Sequence, residues 1–224
     1  MTGVERIIME NYIIKIVSGS LEELNRLYNN FVKDFPENER KSLNHLQFLM
    51  SNNRYRLILA EDQESNEVVG YAFIFETDNN MLWLDYIAIE EKYQNLGYGT
   101  LFLNEIIKNE CKGIYGMFIE VEIPFKVEVP NEADEQAYDE QLKRVRFYKK
   151  LGAGQLNFDY ILPTNDGGVP LGLYYKPLVP MNILKKEMIK ETIKSVFDFI
   201  HSDVPNRDLI YKRFMHEIED HYMS

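Results

Sequence analysis

Two runs decide the reading: Met81-Leu82-Trp83-Leu84-Asp85-Tyr86-Ile87-Ala88-Ile89 and, four residues later, Gln94-Asn95-Leu96-Gly97-Tyr98-Gly99-Thr100. The first is nearly continuously apolar, which suits a strand covered on both faces. The second leads into Leu101, Phe102, Glu105 and Ile106, whose apolar members share one helical stripe. Glycines between a buried strand and a helix start let the backbone turn tightly while successive amides point at one spot. That spot lies at the positive end of the helix dipole, where a phosphate or pyrophosphate is favoured. An ordinary strand-to-helix turn would use the same glycines. The loop lacks the Lys-Ser/Thr pair of a nucleotide-binding loop and the third spaced glycine of a dinucleotide-binding turn.

Outward from this stretch, patterning predicts further elements. Residues 12–17 read as a first strand, and Ser20-Leu21-Glu22-Glu23 is a capping box. Leu21, Leu24, Leu27, Tyr28, Phe31 and Phe35 recur at helical spacing until Pro36. A less regular helix is expected over about 39–50, ending in Ser51-Asn52-Asn53. Residues 55–61 and 68–76 read as strands joined by the polar stretch 62–66, a hairpin, and Asp78-Asn79-Asn80 is a turn. After the helix over 98–111, residues 114–123 form a strand, 124–136 a loop, and 137–151 a helix that stops at Gly152. Strands at 158–162 and 171–177 flank the turn-rich 163–170. The order implies a mixed α/β sheet rather than a doubly wound one. From Asn182 the character changes: an amphipathic helix runs from Leu184 to Ile200, a turn spans 203–206, and a second helix covers 209–218. Their apolar faces require cover from the domain or from a second copy of the chain. The expected division is a domain over 1–180 and a helical extension over 181–224.

Composition narrows the function. A formal charge of -11 argues against nucleic acid as partner and is compatible with a cationic ligand, though solubility alone would explain it. No apolar run reaches the length needed to cross a bilayer, and the N-terminal MTGVERIIMEN has no secretory pattern. Cys111 is the single cysteine, so no internal disulfide forms and a cytoplasmic location is expected. It ends a helix and is expected to be a buried, inert thiol. His45, His201, His216 and His221 show no metal-site spacing, so no metal is expected.

Leu84-Asp85-Tyr86-Ile87-Ala88-Ile89, the Gln-x-x-Gly-x-Gly pattern at 94–99, and Phe147-Tyr148-Lys149-Lys150-Leu151-Gly152-Ala153 together resemble the GNAT superfamily of N-acetyltransferases, over about residues 12–178. The resemblance implies a mixed central β-sheet with splayed middle strands, flanked by helices, and acetyl-coenzyme A as co-substrate. By resemblance, backbone groups at Ile87, Ala88 and Ile89 meet the pantetheine arm. The amides of Asn95, Leu96, Gly97, Tyr98, Gly99 and Thr100 hold the pyrophosphate. Gln94 stands where arginine is also common and brings no charge, so phosphate binding leans on the amides.

Tyr148 matches the tyrosine that protonates the departing thiolate in many relatives; packing on an apolar helix face is the structural alternative. Three acids interrupt apolar strands and are candidates to accept the amine proton: Asp85, Glu120 and Glu122. Alternation puts Glu120 and Glu122 on one face. Ile119-Glu120-Val121-Glu122 and Arg144-Val145-Arg146-Phe147-Tyr148 resemble paired elements of one branch of the superfamily, and these acids could equally serve as structural partners of Arg144, Arg146 or Lys126. The expected reaction is direct acetyl transfer to an amine of a small molecule or peptide. Its rivals are a silent acyl-coenzyme A-binding domain and a protein N-terminal or lysine acetyltransferase. A homodimer through the C-terminal helices is also expected.

Overall fold

The computed structural model describes residues 14–223. Tyr12 and Ile13 of the expected first strand, and the N-terminal eleven residues, lie outside them. The chain divides into two compact units, residues up to Glu76 with Leu84–Gly113, and Thr77–Trp83 with Ile114 onward. The fold is mixed α/β, a sheet of parallel and antiparallel strands with flanking helices. Among the described residues no helix is long and apolar enough to cross a membrane.

In the first unit the strand order is β1 (Ile14–Gly19), β2 (Tyr55–Asp62), β3 (Val68–Glu76) and β4 (Met81–Ile89), whose residues from Leu84 onward belong here. The β2–β3 hairpin closes as expected: the Asp62 carboxylate accepts from the amides of Glu64 and Ser65, and Asn66 takes a left-handed φ of 57°. Helix α1 (Leu21–Asp34) begins with the predicted capping box of Ser20 and Glu23. Its buried stripe is Leu24 and Phe31; Leu21, expected within it, is exposed. Helix α2 (Leu43–Met50) starts later than expected, because the amides of Glu39 and Arg40 both turn back onto the Pro36 carbonyl and Ser42 supplies the cap. Phe31 and Phe35 both meet Tyr86 at 4.8 Å between ring centroids, and the Tyr86 hydroxyl donates to the Glu39 carbonyl at 2.7 Å. These contacts anchor β4 where it runs toward helix α3 (Tyr98–Glu110). The strand is fully covered only in part: Met81–Leu84 and Tyr86 are buried, whereas Asp85 and Ile87–Ile89 are half-buried.

In the second unit the order is β4 (its Met81–Trp83 portion), β5 (Gly116–Glu122), β8 (Val169–Pro177) and β6 (Gly154–Gln155), with β7 (Ile161–Leu162) also on β8. Trp83 and Phe118 stack with centroids 5.7 Å apart. Strands β5 and β8 are antiparallel, with Glu120 opposite Leu173 and Glu122 opposite Leu171. Helix α4 (Glu132–Lys150) corrects the expectation of a loop through residue 136. An Asn131–Asp134 capping box starts the helix five residues early, and three acids in its first turn favour the positive end of its dipole. It ends as predicted, with Gly152 at φ 83°. The strand expected over 158–162 is paired only at Ile161–Leu162, because the Tyr160 amide closes a tight turn on the Phe158 carbonyl.

Helices α5 (Lys186–Phe199) and α6 (Arg207–Phe214) pack within this same unit. The second is shorter than the expected 209–218 and starts earlier. Asn79 ties α5 down by donating to the Met188 carbonyl at 3.2 Å and the Thr192 hydroxyl at 3.0 Å. Strands β9 (Ile183–Leu184) and β10 (His221–Tyr222) pair to close the segment on itself, aided by Asp220, which accepts from Lys185 and from the Lys186 amide.

Gly70 has a specific steric reason. A Cβ there would lie 2.7 Å from the Ala88 carbonyl oxygen, a backbone atom that cannot rotate away. Gly70→Ala therefore forces β3 and β4 apart, and the urea-unfolding free energy should fall by about 1–3 kcal/mol.

Candidate functional site

Beyond β4 the chain makes a short helical turn, Glu91–Tyr93, and enters the loop before α3. Asn95 holds φ 60° and Gly97, the residue that caps α3, holds φ 90°. Gly97 provides no side-chain cap, and its carbonyl accepts from the amides of Thr100 and Leu101. Among the described residues the amides of Asn95, Leu96, Gly97 and Gly99 donate to nothing within the chain. Thr100 differs from the expectation: its amide already donates to the Gly97 carbonyl at 3.1 Å. Residues 94–97 are exposed, Gly99 and Thr100 half-buried, and the Tyr98 side chain is buried beneath them. The donor set, uncharged main-chain N–H groups at a helix N-terminus, fits a diphosphate.

The side chains around this loop secure it and bring it no net cationic charge. The Tyr93 ring lies 5.1 Å from that of Tyr98. Glu67 accepts from both Lys92 and Tyr93 at 2.6 Å, so the Lys92 charge is matched. Both hydrogen bonds hold the Glu67 carboxyl below the usual carboxylate range. The exposed Gln94 side chain folds back and donates to the Ile89 carbonyl at 2.9 Å. Of the main-chain groups expected to meet the pantetheine arm, that carbonyl is thus already engaged from within.

Asp85 lies in the same unit, half-buried, and accepts from the Tyr55 hydroxyl at 2.5 Å. The other candidate acids are in the second unit. Glu120 and Glu122 share a face of β5, as alternation predicts, but their partners differ. Arg144 on α4 holds Glu122 at two points, Nε to Oε2 and Nη2 to Oε1, each at 2.7 Å. The structural pairing considered for these acids is therefore the one observed for Glu122. Glu120 accepts at Oε1 from the Tyr160 hydroxyl at 2.5 Å. Tyr148 is buried, with its ring edge-on to Phe147 at 5.0 Å, and among the described residues its hydroxyl has no hydrogen-bond partner. Burial pushes its phenol well above the ordinary tyrosine value; the Glu122 charge adds to this and the Arg144 charge opposes it.

A family model described as the acetyltransferase (GNAT) family matches residues 24–153, more than half of the chain. The chain belongs to the GNAT acetyltransferase family.

Solved GNAT structures share the fold at low identity. A protein from Bacteroides thetaiotaomicron assigned to the family aligns with a TM-score of 0.63 at 18% identity, covering 83% of this chain and 97% of that one. The ribosomal-protein-S18-alanine N-acetyltransferase of Escherichia coli aligns at 0.53 with 19% identity, covering 75% and 96%. A spermidine N-acetyltransferase from Vibrio cholerae aligns at 0.54 with 13% identity, covering 74% and 94%. No protein of curated function matches by sequence.

As a GNAT domain the chain presents its family signature in the loop and leaves two contributors unsignalled. Nothing in the sequence pattern marks Tyr160 as the partner of Glu120, 40 residues away, or Gln94 as the partner of the Ile89 carbonyl. Among the described residues no group of three His, Cys, Asp or Glu side chains could hold a metal ion. His201, in the turn after α5, is buried against Phe197 at 5.6 Å. Cys111 is half-buried rather than buried, and burial pushes its thiol up to about 12.

The displaced Tyr148 phenol gives a direct check. Its folded value exceeds its unfolded value, so its contribution to stability is intact below about pH 10 and is lost as pH rises above that. Tyr148→Phe should leave the phenolate absorbance that develops between about pH 9 and 11 unchanged, and should flatten the alkaline fall in stability.

Proposed function

We propose that this protein transfers the acetyl group of acetyl-coenzyme A to a primary amine of a small molecule or peptide, by direct attack in a ternary complex. The observation that carries the reading is the group of main-chain amides at Asn95, Leu96, Gly97 and Gly99 that have no acceptor among the described residues, around the left-handed Gly97, on a chain of this family. In this proposal those amides hold the coenzyme A diphosphate, and the main chain near Ile87–Ile89 pairs with its pantetheine arm. Gln94 then acts indirectly, by keeping the Ile89 carbonyl in place.

In the reaction, the amine nitrogen attacks the thioester carbonyl after giving its proton to a carboxylate, for which Asp85, Glu120 and Glu122 are the candidates. The C–N bond forms, the C–S bond breaks, and Tyr148 gives its proton to the departing sulfur. A Tyr148 hydroxyl without a hydrogen-bond partner among the described residues supports that role. The acceptor class is supported by the net charge of -11, which draws cations toward the protein. It is supported also by the fold shared with an enzyme named for spermidine and one named for an alanine of ribosomal protein S18.

Calorimetry with coenzyme A and thiol release from acetyl-coenzyme A with spermidine or an alanine-ended peptide test this together. Binding heat at micromolar ligand and amine-dependent thiol release are expected, and Tyr148→Phe should lower kcat about 100-fold while leaving the acetyl-coenzyme A KM unchanged. Binding without turnover on any amine would assign the chain as a silent acyl-coenzyme A-binding domain; absence of binding would overturn both readings.

A further inference from the structure

We infer that residues 124–130 form a docking strand for a second copy of this chain, the two copies pairing antiparallel about a two-fold axis at Val127. Beyond β5 the chain runs Ile123-Pro124-Phe125-Lys126-Val127-Glu128-Val129-Pro130 before the cap of α4. Ile123, Phe125, Val127 and Val129 alternate along it and all are exposed, from 37% at Val127 to 88% at Val129. Lys126 and Glu128 between them are exposed as well, and among the described residues neither has an ion-pair partner. The amides of Lys126, Val127, Glu128 and Val129 likewise donate to nothing among the described residues. An alternating apolar strip with an open main-chain edge is a template for another strand.

The occupant follows from the charge pattern, which is complementary to itself when reversed. With Val127 on the axis, Lys126 faces Glu128 of the second copy, and Glu128 faces its Lys126. Phe125 faces Val129 in the same way, so charges line one face of the pair and apolar side chains the other. Opposite charges, and an aromatic against a β-branched residue, are favourable cross-strand pairs. A shift of two residues either way sets Lys126 or Glu128 against its own copy, which fixes the register. The main chain agrees. The Phe125 amide donates to Gln141 Oε1 of α4 at 3.1 Å, so one edge of the segment faces that helix. Alternate amides share an edge, which leaves those of Lys126 and Glu128 on the open one, where they exchange hydrogen bonds with the second copy. Pro124 and Pro130 fall on that same edge with no N–H to give, and end the ladder at both sides.

The C-terminal helices, expected to carry a dimer, already bury Ile193, Phe197, Ile210 and Phe214 in the single chain. An extended acceptor peptide of unrelated sequence would gain the main-chain bonds of the open edge but not the two charge pairs, so the second copy is favoured. The association is weak for two reasons. The chain bends at Glu128 and Val129, so pairing has to straighten it. A ladder this short is also small beside a standard interface, which puts the dissociation constant on the order of tens of micromolar.

Sedimentation velocity on the full chain, over roughly 1 to 500 µM, tests this with two charge reversals. Wild-type protein should pass from monomer to dimer across that range. Lys126→Glu and Glu128→Lys each set like charges opposite one another and should each weaken association about tenfold or more. Mixed in equal amounts, the two variants are complementary and should form a heterodimer as tight as the wild-type dimer. Val127→Cys should cross-link two copies under mild oxidation, because it meets its own copy at a non-hydrogen-bonded position, whereas Val129→Cys should not. Wild-type protein that stays monomeric at the highest concentration overturns the inference, as does a dimer that neither reversal weakens. A monomer whose Lys126 and Glu128 amides gain exchange protection from an alanine-ended peptide assigns the strip to an acceptor and overturns it too. None of these readouts depends on acetyl transfer.

Discussion

A helix that opens behind a left-handed glycine has no side chain at its cap to satisfy the amides around it, and this constraint shapes the first unit. Gly97 has no side chain with which to cap α3, and a non-glycine residue at φ 90° would be strained. The amides are arranged by the backbone alone, so their direction is fixed as soon as β4 and α3 are fixed. Much of the unit serves that end. Phe31, Phe35 and the Glu39 carbonyl hold Tyr86, the Gly70 contact brings β3 against β4, and Gln94 braces the strand end. The site is thus preorganised by packing at some distance from it, and an acceptor there meets dipoles that need no rearrangement.

The second unit solves a different problem, the placement of two like-charged side chains two positions apart on a strand. Left alone, such a pair repels and each partner wanders among rotamers. The structure separates them by giving each a donor of different character, a cationic fork for Glu122 and a neutral phenol for Glu120. The fork neutralises the outer acid and lies on a half-exposed surface, where an ion pair contributes only about 0–1 kcal/mol. The phenol is backed by aromatic rings and cannot be replaced by water without opening the cluster. The asymmetry ties Glu122 to α4 through an ion pair and Glu120 to the turn that carries Tyr160.

What could be read from the sequence follows from how local the governing physics is. Strand β4, the loop and α3 were legible because a buried run, two spaced glycines and a helical stripe are all contained in residues 81–106. The capping box at Ser20 and the Gly152 exit were legible for the same reason. The Asn131–Asp134 box was missed because two prolines and an acidic composition argued for a loop, yet acids are favourable in a first helical turn. Tyr160 was beyond reach: its strand-like surroundings suggested pairing, whereas a local turn removes it from the ladder and aims its hydroxyl at a strand 40 residues earlier. Cap and turn chemistry is local; a hydrogen bond between distant elements is known only once the chain has folded.

The burial of Tyr148 bears on its proposed role in a way that first looks adverse. A phenol pushed upward is a poorer acid, and transfer to a thiolate of ordinary basicity near 8.5 is uphill. The same burial acts on the acceptor, however. A thiolate released into apolar surroundings is destabilised as a charge and becomes a stronger base, so the gap between the two narrows. Moving the proton also removes the only new negative charge from a dry environment, which favours transfer as the C–S bond breaks rather than after it. Arg144 helps from the other side, since its charge eases the phenol down while Glu122 is held in check by the same guanidinium. One arginine thus acts on both groups: it pairs with the Glu122 carboxylate and opposes the rise of the Tyr148 phenol.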